Sequence, residues 1–150
     1  IIERINTFMI SKSNIMNTKS LFAWFAGFVT LMLSGFLFYE VLLKSYFAKL
    51  MENAGDCFLK EPPILPMIIA HLCFAAILLI ILRSNNVITF TGGVKSSWLI
   101  VVLVMVWYDA WAFTYLPQMT LQTAAVDVFV NSICTLLSAG VMGWVLGQFK

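Results

Sequence analysis

The chain has 150 residues, of which 61% are hydrophobic and 11% charged, and a formal net charge of +2; its mean hydropathy is +0.94. A water-soluble domain is nearer half apolar and a quarter charged, so the composition excludes a soluble globular protein. The few basic residues are scattered singly, which argues against nucleic-acid binding because no stripe of charge tracks a phosphate backbone.

In chain order, residues 1–20 are expected to form a cytoplasmic N-terminal extension. Within it, Met16-Asn17-Thr18-Lys19-Ser20 looks more like a translation start than what precedes it. A single transmembrane domain is expected over residues 21–150. Its first span covers residues 21–43, between Ser20 and Lys44. It is long and lacks a small-x-small cleavage site, so it reads as a retained span and not a signal peptide. In the following loop Tyr46, Phe47, Leu50 and Met51 recur at helical spacing. The loop is either an ordinary amphipathic connector or a short helix lying along the outer surface. A second span, residues 64–82, is opened by Pro62-Pro63 and closed by Arg83. The run Thr91-Gly92-Gly93-Val94-Lys95-Ser96 lacks the first glycine and the strand of a phosphate loop, so Gly92-Gly93 is expected to be a turn. Spans at residues 97–116 and 120–146 follow, with Pro117 between them.

Each span approaches the ~20 residues that cross a hydrocarbon core, and in lipid only helices satisfy an open segment's backbone groups. The expected fold is therefore all-α, a polytopic membrane protein with four transmembrane helices in an antiparallel bundle. Cys57, Cys73 and Cys134 have no paired spacing, which argues against a disulfide framework. With the N-terminus inside, Arg4, Lys12, Lys19, Arg83, Lys95 and Lys150 face the cytoplasm against Lys44, Lys49 and Lys60 outside. That bias puts both termini in the cytoplasm.

Inside the spans ionisable residues are few. His71, Asp109 and Asp127 each fall seven residues from the outer end of their span, roughly 10 Å deep at the helical rise per residue. Glu40 is shallower, roughly 5 Å down by the same rise. Trp107, Trp111 and Tyr115 make an aromatic stripe that leaves Asp109 on the opposite face of its helix. Asp127, Asn131, Cys134 and Ser138 form a polar stripe at 4-3-4 spacing. A charged carboxylate facing lipid costs on the order of 2.5–3.5 kcal/mol, so both aspartates are expected to face each other, His71 or a wet cavity. This cluster either fixes helix packing or handles a proton, cation or small solute. A metal or cofactor site is a third reading, without a recognisable ligand motif to support it. Tyr39 and Tyr108 are expected to sit at the interface or cap the neighbouring acid. The sequences Phe38-Tyr39-Glu40 and Trp107-Tyr108-Asp109 each precede a partner helix with a matching polar residue, and one reading of this pattern is two related helical hairpins.

Small residues mark close helix contacts, at Gly27 and Gly35 in the first span and Ala139, Gly143 and Gly147 in the last. One such face serves the bundle, and the other either does the same or meets a second copy or a larger complex. No Ser/His/Asp or Cys/His arrangement or HExxH motif occurs, and a single histidine excludes bis-histidine haem within one chain. The protein is read as non-enzymatic, with no catalytic residue, metal or cofactor assigned.

The run at residues 35–44, GFLFYEVLLK, the Gly92-Gly93-Val94-Lys95 stretch and residues 140–147, GVMGWVLG, resemble a widespread family of small bacterial four-helix membrane proteins known only as a domain of unknown function. The resemblance covers about residues 16–150. It implies the four-helix architecture and a bacterial inner membrane, but no activity. Two functions are expected on these grounds. The first is an accessory or structural subunit of a membrane assembly, in contact with lipid and with protein partners or copies of itself. The alternative is a small oligomeric carrier or channel for a proton, cation or small solute, using the His/Asp cluster.

Overall fold

A computed structural model describes residues 18–54, 63–116 and 119–149. The expected extension up to residue 17, together with Cys57, Lys60, Pro62, Pro117 and Lys150, lies outside the described residues. The elements are α1 (Thr18–Gly35), a π-helix continuing it (Phe36–Leu42), α2 (Lys44–Ala54), α3 (Ile64–Ser84), α4 (Phe90–Tyr115) and α5 (Leu121–Gln148). Four of these helices, α1 with its π continuation, α3, α4 and α5, are long and apolar enough to cross a membrane. The protein is an all-α, multi-pass membrane protein.

Lys19 at the start of α1 donates to the Phe149 carbonyl just past α5, and the rings of Phe22 and Phe149 stack with centroids 5.7 Å apart. The start of α1 and the end of α5 therefore share one end of the bundle, the terminal end. The π-helix, α2, the start of α3 and the end of α4 occupy the far end.

Helix α5 is central: half of its most apolar stretch is buried, against 17% for each of the other three spans. It packs mainly on α4 and α1. The two hairpins are thus unequal in packing, because α1 lies more against α5 than against its own partner α3. The core is a cluster of Ala23, Leu78, Leu79, Leu82, Val101, Ala139, Met142 and Leu146. All the buried residues of α3 belong to its second half, Ala75, Leu78, Leu79 and Leu82. The terminal half of the bundle is therefore closed by side-chain packing, while the first half of α3 buries none of its residues.

The turn from α3 to α4 explains why the third span starts earlier than the sequence suggested. Asn86 takes a left-handed backbone (φ 52°), which asparagine tolerates better than most residues. Val87 N–H then bonds the Leu82 carbonyl at 2.9 Å and Asn86 N–H that of Arg83 at 3.2 Å, satisfying carbonyls that the helix end leaves open. Thr89 caps α4 by accepting from Gly92 N–H at 3.1 Å. The helix thus begins at Phe90 and not near residue 97, and Gly92-Gly93, expected as a turn, lies in its first turn. Thr89→Ala is expected to lower stability by about 1 kcal/mol, with Thr89→Ser near wild type. Thermal melting of both variants in detergent checks this.

Gly93 sits in α4 because α5 comes too close for a side chain: an added Cβ would stand 2.1 Å from the Ala139 carbonyl oxygen. Gly143 and Gly147 are equally confined, by the Thr89 and Ile88 carbonyls. Gly27 of α1 meets Met142 and Ser138 of α5, and Ser138 donates to the Gly27 carbonyl at 2.9 Å. Both small-residue faces are consumed inside the bundle. Gly35 departs from the packing role expected of it, since an added Cβ there would meet nothing within 4 Å.

Candidate functional site: a cavity backed by an aspartate pair

The first 17 residues of α1 keep a regular count. Ser20, Ala23, Gly27, Leu31 and Ser34 are its buried positions, spaced three and four apart as one helical face requires. A regular continuation would next present Phe38. Instead the chain widens into the π-helix, seen in the Leu43 N–H to Phe38 carbonyl bond spanning five residues. Tyr39, five residues after Ser34, then reaches α5, where its hydroxyl donates to Asp127 Oδ1 at 2.5 Å. Single-turn π insertions of this kind recur at functional sites. The tyrosine was expected at the interface or capping Glu40 beside it; the structure gives it an acid 88 residues away.

Asp127 takes a second hydrogen bond on Oδ2, from the Asn131 amide at 2.9 Å. Asp109 of α4 lies near enough to Asp127 to feel its charge. The residue is only 1% exposed, and among the described residues neither of its oxygens has a donor. Trp107, Trp111 and Tyr115, on the other side of α4, are all exposed on the bundle surface. The two aspartates therefore differ: one carboxyl is satisfied at both oxygens, the other is buried against it without a partner. Further along the polar stripe, the Cys134 thiol meets the Ser34 hydroxyl.

Between the splayed far halves of α3 and α4 lies a cavity of about 860 Å³, floored by α1, its π continuation and α5. Its walls are mainly apolar and aromatic, including Phe36, Phe74, Trp107 and Tyr108. The polar groups on its surface include Tyr39, Glu40, His71 and Asn131. Among the described residues no Lys or Arg lines it. Because Tyr39 and Asn131 both border the cavity and both bond Asp127, the acid pair lies one hydrogen bond behind the wall.

The expected cluster is thus assembled in part. Glu40, His71 and Asn131 share the cavity surface, while Asp127 and Asp109 stand behind it. His71 is not joined to either aspartate: its Nδ1 lies 2.7 Å from the Met67 carbonyl one turn earlier in α3. A carbonyl only accepts, so Nδ1 carries the proton and Nε2 is the ring's remaining nitrogen. Among the described residues, no three His, Cys, Asp or Glu side chains converge as a metal site would require.

No protein-family model, curated protein or solved structure matches this chain.

Residue choice alone pointed to Asp109, Asp127 and Asn131 as inward-facing. It missed Tyr39 as their partner, because nothing in FYEVLLK signals the wider turn. It also missed the aromatic cavity walls, which look like any lipid-facing surface until α3 is seen to part from α4.

Proposed function

We propose that this protein is a non-enzymatic membrane carrier that accepts a small solute or cation in the cavity and holds a proton on the Asp109–Asp127 pair. The observation that carries the proposal is Asp109, buried without a donor beside a carboxyl whose two oxygens are both engaged. Two carboxylates this close in a desolvated site do not both stay ionised, and one proton between them relieves the repulsion. In that arrangement Asp127 is the carboxylate, held by Tyr39 and Asn131, and Asp109 is the acid that donates to it. Packing alone does not call for Asp109, since the Tyr39–Asp127–Asn131 contacts already tie α1 to α5.

The accessory-subunit reading rested on small-residue faces left over for partners. Gly27, Ala139, Gly143 and Gly147 are taken up within the bundle, which weakens that ground. By the charge-bias rule, the terminal end with Lys19, Arg83 and Lys95 faces the cytoplasm and the cavity lies in the outer half of the bilayer. A bacterial inner membrane follows only from the family resemblance. The cavity described is short, so a carrier of this size works as a homo-oligomer.

Proteoliposomes loaded with a pH-sensitive dye test the reading. Under an imposed pH gradient the wild-type protein is expected to pass protons faster than empty vesicles. Asp109→Asn, which keeps the side-chain shape, is expected to fall to the empty-vesicle rate while folding normally. Wild-type flux from the variant would reduce the pair to a packing feature.

A further inference from the structure

We infer that the cavity's ligand is a lipophilic organic cation, an ammonium or phosphonium carrying aromatic or alkyl groups. This rests on the proposed reading of the cavity as a binding site. Its volume of about 860 Å³ lies within the ~300–1,000 Å³ typical of pockets for drug-sized molecules. A bare proton or metal ion would leave that space unfilled, and the apolar walls would offer it nothing. They suit a hydrophobic body.

The polar remainder sets the sign of charge. Glu40 contributes a carboxyl group to the surface, with Asp127 one hydrogen bond behind it, and among the described residues no Lys or Arg lies on the wall to balance them. Trp107 and Tyr108 line the cavity, and aromatic rings attract a cation placed over their faces through the negative charge above the ring. An anionic headgroup would meet Glu40 with no cation to hold it, which argues against phospholipids and isoprenyl phosphates. The route of access fits the same chemistry. Met67 and Tyr108 both line the cavity and both remain substantially exposed on the bundle surface. The opening therefore lies between α3 and α4, level with the membrane-spanning part of both helices. A ligand reaching it must first dissolve in the bilayer, as a charged molecule does only when apolar groups surround its charge.

Tetraphenylphosphonium and tetraphenylborate share size and shape and differ in sign, so they separate charge from greasiness. The full-length protein in neutral detergent, studied by equilibrium dialysis, is expected to bind tetraphenylphosphonium saturably and tetraphenylborate much more weakly. Glu40→Gln, at an exposed position, is expected to weaken the cation roughly tenfold, equivalent to about 1.4 kcal/mol. Ala70→Trp, which fills the cavity from its lining, is expected to abolish binding. Equal binding of both ions, or no change in Glu40→Gln, overturns the cation assignment; if Ala70→Trp still blocks binding, the cavity remains a binding site. Absence of saturable binding of either ion also overturns the assignment. The proton-flux measurement uses no organic ion and decides the carrier reading separately.

Discussion

Alanine at Gly93 is expected to destabilise the protein, and alanine at Gly35 to leave it unchanged or slightly more stable. Helix propensity alone favours alanine over glycine by about 1 kcal/mol at either position. At Gly35 that preference acts almost unopposed, because the backbone is already right-handed helical (φ −57°, ψ −49°) and the space around it is empty. At Gly93 the new methyl would stand 2.1 Å from a backbone oxygen of α5. A backbone cannot swing aside as a flexible side chain can, so α4 must move off the central helix. Overpacking of a filled core costs typically 1–3 kcal/mol, enough to reverse the propensity gain and lower the melting temperature in detergent. If Gly93→Ala melts at or above the wild-type temperature, the close α4–α5 approach is wrong.

The two aspartates should respond in opposite ways. Asp127→Leu removes the acceptor for the Tyr39 hydroxyl and the Asn131 amide together. An unsatisfied buried donor costs about 1–3 kcal/mol, so a loss of roughly 2–6 kcal/mol is expected where both are stranded. Hydrogen bonds between membrane helices average nearer 0.6 kcal/mol, which places the outcome toward the low end. Asp109→Asn leaves Tyr39 and Asn131 with their acceptor. Its amide supplies Asp127 with a donor whether or not a proton is present, so stability is expected to hold or rise. Reversible unfolding in mixed micelles, measured for both variants, distinguishes them. Equal losses would mean that Asp109 has a structural partner of its own and would remove the basis for placing a mobile proton there.

These expectations also show what the amino-acid order conveys. The four apolar stretches declare the fold because lipid imposes a minimum length and a near absence of charge, both visible residue by residue. Asp109 reads as inward-facing because three aromatic residues four apart mark the other side of its helix. Two features were hidden. The start of α4 is decided by Asn86 and the Thr89 cap, and the pair Gly92-Gly93 looks like a loop until the nearness of α5 explains it. The cavity has no local signal, since it is created where α3 lacks buried residues before Ala75 and so drifts from α4. Trp107 and Tyr108 serve both surfaces, lining the cavity while standing exposed on the bundle.

The wide turn after Gly35 makes this stretch sensitive to length in a way ordinary helix is not. Up to Ser34 the chain counts in threes and fours, and beyond it every position runs one place late. Removing one of residues 40–42 would restore unbroken numbering, bring Phe38 round in place of Tyr39 and disconnect the hydroxyl from Asp127. Removing one of residues 36–38 would instead leave the tyrosine four places after Ser34, where a regular helix presents it. A shorter segment is thus tolerated on one side of the tyrosine and not on the other.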